Sequence, residues 1–304
     1  MIALGIIGNG TQARALLDHQ APLGRFRLAA FAAGPGEASG AGTPTAIHSR
    51  TWHDVVADPG IAALLVDVPR IGELEIVQAG LAAGKIVVCS PAPARGADEL
   101  GILRQAMIRG GGTLLPCGEL THGEATRRGL AAMADPAFGR ITSIYLAIRQ
   151  PHGPGDVIAD LAPEVAGFVT AAITDDITAM RVNAGRLFGP ERDSAVILMR
   201  SAGAAVVTIE LSRCLPASLP APGLGEVEIE AIGLGQAVRI TPLDSAVRIH
   251  RDDGYAVQPW LNAPVLEMLR DIAAVVDGYD ATAAFMRRAT HTQSLLAAIE
   301  AAAG

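Results

Sequence analysis

The sequence contains one lysine, Lys85; its other strongly basic side chains are all arginine. Any chemistry that needs a lysine therefore has a single candidate. Cysteine is also scarce. Cys89, Cys117 and Cys214 are scattered, odd in number and without C-x-x-C spacing, which excludes a disulfide framework and fits a reducing cytoplasmic setting. There is no H-x-x-x-H pair and no Asp/His cluster, so no metal site is expected. No Lys/Arg block exists and the net charge is −7, which argues against nucleic acid as a partner. No apolar run reaches the roughly 18 residues of a membrane helix, so no membrane partner is expected. Met1 is followed at once by strand-like residues rather than by a charged segment and a cleavage site, so no signal peptide is expected.

What is present is a large apolar chain. Of 304 residues, 50% are hydrophobic and 18% charged, enough for a substantial core and for one large domain or two. Residues 2–7 (IALGII) read as a buried strand, followed by the glycine turn GNGTQA and a helix-like ARALLDHQA. A second strand, 26–33, leads into a glycine-rich loop, GPGEASGAG. Thr51 caps a short helix that Pro59-Gly60 ends. Strand-like runs at 61–69, 86–90 and 113–119 alternate with helical stretches at 71–84 and 97–111. Continuous apolar strands alternating with helices of this length specify a parallel sheet covered on both faces.

The texture changes after residue 118. A helix is expected over 121–135, a long strand over 141–150, and a helix over 157–173. In that helix Asp160 and Glu164 share a face, and Pro163 should bend it or start a new first turn. Strands then follow in series, at 177–187, 194–201, 204–212, 226–234, 237–243 and 246–251. They predict an open, mostly antiparallel or mixed sheet. Residues 281–303 read as a closing helix pair. The expected fold is α/β, with a Rossmann dinucleotide-binding-type domain over 1–118 and an α/β substrate or oligomerisation domain over 119–304.

Gly8-Asn9-Gly10-Thr11-Gln12-Ala13 fits G-x-G-x-x-G/A in its required context, after the first strand and opening the first helix. Gly8 makes the tight turn, Gly10 lets the backbone approach a pyrophosphate, and Ala13 permits close helix–strand packing. The usual partner is missing. The second strand ends Phe31-Ala32-Ala33-Gly34, with no acid for the adenine ribose; the nearest is Glu37, in the loop. No arginine stands ready for a 2′-phosphate. One lost hydrogen bond to a charged acceptor is worth about 1.5–3 kcal/mol, about 10- to 100-fold in affinity. NAD or NADP is the expected cofactor, bound weakly or not at all.

Taken together, GIIGNGTQA, DPGIAALLVDVP, GLAAGKIVVCSP, AFGRITSI and RRATHTQSLLAAIEAA, in that order, resemble the glucose–fructose oxidoreductase/inositol dehydrogenase/MocA (Gfo/Idh/MocA) family over nearly the whole chain. The resemblance implies a Rossmann domain, a second domain whose open sheet makes oligomers, and NAD(P)-dependent oxidoreduction of a sugar, polyol or related alcohol or ketone. It also implies cofactor contacts at Gly8, Asn9, Gly10, Thr11, Gln12, Pro69, Ser90 and Pro91. The family's E-K-P loop here reads Cys89-Ser90-Pro91-Ala92 and has no lysine in any register. Lys85 matches the lysine of the turn before that strand, at the far end of the sheet. The family's helix motif keeps its aspartate as Asp160, has Glu164 in place of histidine, and reaches Gly167 where a later acid is usual. Glu73 stands where the family has a histidine after Pro69. The connection from Gln150 to Val157 is short.

The catalytic candidates are Glu164, Asp160 and His122. A glutamate working near neutrality needs a raised pKa, which burial or a neighbouring carboxylate supplies. His152 and Glu119 are lesser candidates, and His19, His48, His53, His250 and His291 read as surface or packing residues. Three functions fit: a divergent NAD(P)-dependent oxidoreductase with a substituted acid–base group; a non-catalytic ligand-binding or partner subunit; and a non-redox lyase using Asp160 and Glu164. The small molecule itself is not specified.

Overall fold

The computed structural model describes residues 1–17, 24–35, 50–216, 218, 224–241, 246–251, 254–259, 264–279 and 282–304. His19, Glu37 and His48 lie outside the described residues. The chain divides into two compact units, 1–118 with 265–293, and 119–264 with 294–304.

The first unit is a parallel sheet ordered β2-β1-β3-β4-β5. The strands are β1 (Ile2–Ile7), β2 (Phe26–Ala32), β3 (Ala63–Val66), β4 (Ile86–Cys89) and β5 (Thr113–Pro116). Every residue of β1 and β3 is buried, as a central strand covered on both faces requires. The intervening helices are α1 (Thr11–Leu17), α2 (Trp52–Ala57), α3 (Arg70–Ala82) and α4 (Ala97–Gly110). Thr51 and Asp54 form a reciprocal capping box at the start of α2, which satisfies two otherwise unpaired amides. Lys85 precedes β4. It is buried, and its Nζ donates to the carbonyls of Asp58 at 2.6 Å and Ile61 at 2.7 Å. The only lysine thus holds a turn together. Burial lowers its pKa, against a smaller pull upward from Asp58.

The second unit is built on a mixed eight-stranded sheet, β13-β12-β11-β10-β6-β9-β8-β7. Its strands are β6 (Ile141–Pro151), β7 (Ile177–Gly185), β8 (Ser194–Ser201), β9 (Val206–Leu215), β10 (Glu226–Gly233), β11 (Ala237–Thr241), β12 (Ala246–Arg251) and β13 (Gly254–Pro259). One pair, β6 with β9, is parallel, because α7 (Val157–Ala172) and the β7–β8 hairpin intervene. One face packs on helices. On β8, Ala195, Ile197 and Met199 are buried, while Val196 and Leu198 are exposed on the other face.

Several elements differ from expectation. The helix expected over 121–135 is two, α5 (Glu119–His122) and α6 (Glu124–Met133), separated at Gly123. Of the two outcomes expected at Pro163, a new first turn is not seen: α7 runs through it. A mid-helix proline costs about 3 kcal/mol. Eight apolar side chains of α7, including Leu161, Val165 and Phe168, are buried, and each large one returns about 1.5–3 kcal/mol. The expected closing pair is one helix, α9 (Thr282–Ala303), since no glycine or proline interrupts it. Its companion α8 (Pro264–Val276) and the strand β13 lie in residues to which no element was assigned above. Among the described residues no helix is long and apolar enough to cross a membrane.

Candidate functional site

In a doubly wound sheet the ligand crevice lies at the carboxyl ends of the strands where the strand order reverses. Here that point is between β1 and β3. Gly8 leaves β1 with φ 108°, a conformation that glycine alone adopts readily. Its amide donates to Ala32 O at 2.9 Å. A Cβ on Gly8 would lie closer than 3.0 Å to the carbonyl of Asp67, so the turn needs glycine twice over. The Gly10 amide donates to Asp67 O at 3.1 Å.

Asp67 is the residue on which this turn closes. Following β3, it places its carboxylate over Gly10, where a Cβ would again be closer than 3.0 Å to both oxygens. Oδ2 accepts from the Ala13 amide at 2.8 Å. Gly10 has no side chain with which to cap α1, and Asp67 supplies one from 54 residues away. Around it, Arg14 Nε donates to Asn9 O at 2.9 Å, and Cys117 Sγ lies 3.8 Å from Gln12 Oε1. Thr11 is the first residue of α1. Sequence reasoning passed over Asp67. The available signal was an acid directly ending a buried strand next to the glycine-turn strand.

The loop after β4 is held by a second carboxylate. Glu73, buried in α3, accepts from Ser90 N and from Ser90 Oγ, each at 2.7 Å. Glu73 thus stands where the family resemblance places a histidine and works as a clasp on the loop that lacks its lysine. Pro91 is buried, and Pro69 caps α3 without a side-chain bond. Burial pushes the Cys89 thiol well up, and Glu73 and Cys117 push it further. It is not a nucleophile poised to react.

In the second unit the predicted acids each have partners. Both oxygens of Glu164 accept from the start of α5, Oε1 from Glu119 N at 3.1 Å and Oε2 from Leu120 N at 3.0 Å. Glu119 Oε1 in turn accepts from Leu224 N at 3.3 Å. Asp160 pairs with Arg213 at 2.8 Å. Arg213 is buried and also donates to Gln150 Oε1 and Pro154 O, so it organises the short connection before α7. Asp156 caps α7 through Ile158 and Ala159 and pairs with Arg192 at 2.6 Å. Burial works against its charge, but Arg192 and the two amides hold its pKa below the ordinary value. His122 is buried, with Nδ1 3.1 Å from Thr121 Oγ1. His53 stacks on Trp52, while His152 lies against Phe188 and His250 against Tyr255 in tilted ring pairs. Among the described residues no group of three or more potential metal ligands is gathered.

No family model matches the sequence, and no curated protein does. Solved structures match over its length. The UDP-N-acetylglucosamine 3-dehydrogenase of Acidithiobacillus ferrooxidans superposes with TM-score 0.81 at 14% identity, covering 99% of this chain and 97% of that one. An NAD-binding oxidoreductase from Klebsiella pneumoniae gives 0.78 at 17%, covering 99% and 96%. An Agrobacterium radiobacter oxidoreductase, solved with NAD+, L-tartaric acid and magnesium, gives 0.78 at 13%, covering 99% and 96%. This is the fold of the Gfo/Idh/MocA-type oxidoreductases.

The Gfo/Idh/MocA fold implies a dinucleotide at the glycine turn, and the residues there can be tested against one. Gly8 and Gly10 have the required shape. The space that the second glycine leaves for a pyrophosphate is filled here by the Asp67 carboxylate. A second anion does not fit on the turn while Asp67 holds this position.

Proposed function

We propose that this chain is a divergent NAD(P)-dependent oxidoreductase-like member of the Gfo/Idh/MocA family, acting on a sugar, polyol or related small alcohol or ketone. The observation that carries the reading is the glycine turn Gly8–Ala13 at the switch point of a parallel sheet, within a fold shared over the whole chain with oxidoreductases. Residues 1–118 serve the dinucleotide, through Asn9, Thr11, Gln12, Pro69, Ser90 and Pro91 beside the two glycines. The remainder serves the substrate and a cytoplasmic homo-oligomer. The exposed Val196, Leu198 and Val206 on the adjacent strands β8 and β9 of the uncovered sheet face support that assembly, since grouped apolar surface marks an interface. His122, Asp160 and Glu164 are the acid–base candidates.

A second reading, a non-catalytic ligand-binding or partner subunit, is favoured by the bonds of Glu164. With both oxygens bound to backbone amides, it serves as a helix cap.

The deciding experiment pairs a substrate panel with Glu164→Gln. Purified protein, checked for co-purified dinucleotide by denaturing a sample, is assayed for nicotinamide turnover with sugars and polyols. Turnover by the parent, lost in a normally stable Glu164→Gln, supports the oxidoreductase and gives Glu164 the acid–base role. No turnover, with the variant destabilised by about 1–2 kcal/mol, supports the non-catalytic reading.

A further inference from the structure

We infer that Asp67 is a built-in competitor for the phosphates of the dinucleotide: its carboxylate occupies their seat on the glycine turn, so cofactor binds only when this side chain leaves. The inference rests on the dinucleotide reading above. Three observations carry it. The carboxylate fills the volume that a Cβ on Gly10 would take, which is the volume a pyrophosphate needs beside the second glycine. It holds an amide of the first turn of α1, Ala13 N at 2.8 Å, one of the helix-start donors that stabilise a bound phosphate. It also carries charge of the same sign as the ligand in half-buried surroundings, where like charges are poorly screened.

The rest of the turn makes the competition matter. The second strand ends at Ala32 and is followed by Ala33, Gly34 and Pro35, so among the described residues no acid stands at its end to bind the ribose and offset a weakened phosphate site. Phosphate contacts must then supply most of the affinity, and Asp67 acts on those contacts.

The test is titration of the full chain with NADH and with NADPH, by calorimetry and nicotinamide fluorescence, in the parent, Asp67→Ala, Asp67→Asn and Glu75→Gln. Asp67→Ala removes both charge and volume. Asp67→Asn removes the charge and keeps an acceptor for Ala13, which guards against loss of folding; thermal melts check each protein. Glu75 is an exposed carboxylate on α3 and controls for net charge. The expected result is binding tightened about tenfold or more in Asp67→Ala, at least part of that gain in Asp67→Asn, and none in Glu75→Gln. Equal affinity in the parent and both Asp67 variants overturns the inference and leaves the oxidoreductase reading standing. No binding by any folded variant overturns both.

Discussion

At the scale of single residues, Gly10 and Asp67 share one space. The glycine is required because the aspartate is there, a relation that runs opposite to the usual one in which a ligand demands the glycine. Gly10→Ala is therefore expected to cost about 1–3 kcal/mol by overpacking in the parent, and much less in an Asp67→Ala background. The two substitutions touch one contact, so their effects should be non-additive by about 1 kcal/mol or more. Urea denaturation of the four proteins of the cycle reads this directly. Additive losses would mean that the obstruction at Gly10 comes from the backbone and not from the Asp67 side chain.

At the scale of elements, the pairing of β6 with β9 sets the charges on the uncovered sheet face. Ala147 lies opposite Glu210, so Tyr145 and Arg149, two residues to either side, converge on that carboxylate. Tyr145 Oη donates at 2.9 Å and Arg149 Nε at 2.8 Å. The hydrogen bond from Arg149 holds the pKa of Glu210 below its ordinary value, against burial and with help from Tyr145. A depressed carboxylate contributes stability above the usual glutamate range, about 4.3, and loses it as pH falls through the lower folded value. Glu210→Gln should flatten that acid limb of the stability curve. At neutral pH the loss should stay under about 1 kcal/mol, because the pair is partly exposed. An unchanged acid limb would show that other carboxylates govern it.

These elements also show which parts of the molecule the sequence discloses. The first five strands are legible as continuous apolar runs between helices. The alternation of β8 and β10 is legible because one face is buried and one is not. The single helix α9 is harder to read: Thr290, Thr292 and Ser294 weaken its pattern, and only the return bond from Thr290 Oγ1 to Met286 O shows the first of them accommodated within the helix. The site is less legible still. Its determining bonds join residues far apart in sequence, Asp67 to Ala13 and Glu164 to Glu119. Spacing rules identify carboxylates that can meet on one helix, as with Asp160 and Glu164. They do not show that each has another partner.

At the scale of the whole molecule, one helix contributes to both compact units. Residues 282–293 of α9 count with the first, and Ser294–Gly304 with the second. Leu295, Leu296 and Ile299 are buried. Loss of each large buried side chain costs about 2–5 kcal/mol, and a typical domain has about 5–15 kcal/mol in all. Truncation after Gln293 should therefore destabilise residues 119–264 far more than residues 1–118. Limited proteolysis with fragment mass analysis would show the first cuts within 119–264. Early cuts within 1–118 would contradict the division.

The lone lysine has a practical consequence. Its amine is sequestered against two carbonyls, out of reach of acylating reagents until the turn before β4 opens. Because no other side-chain amine exists in the chain, reagent captured at this position is a clock for one opening event. Its rate across denaturant gives the free energy of that local opening, without isotope exchange and without an introduced probe.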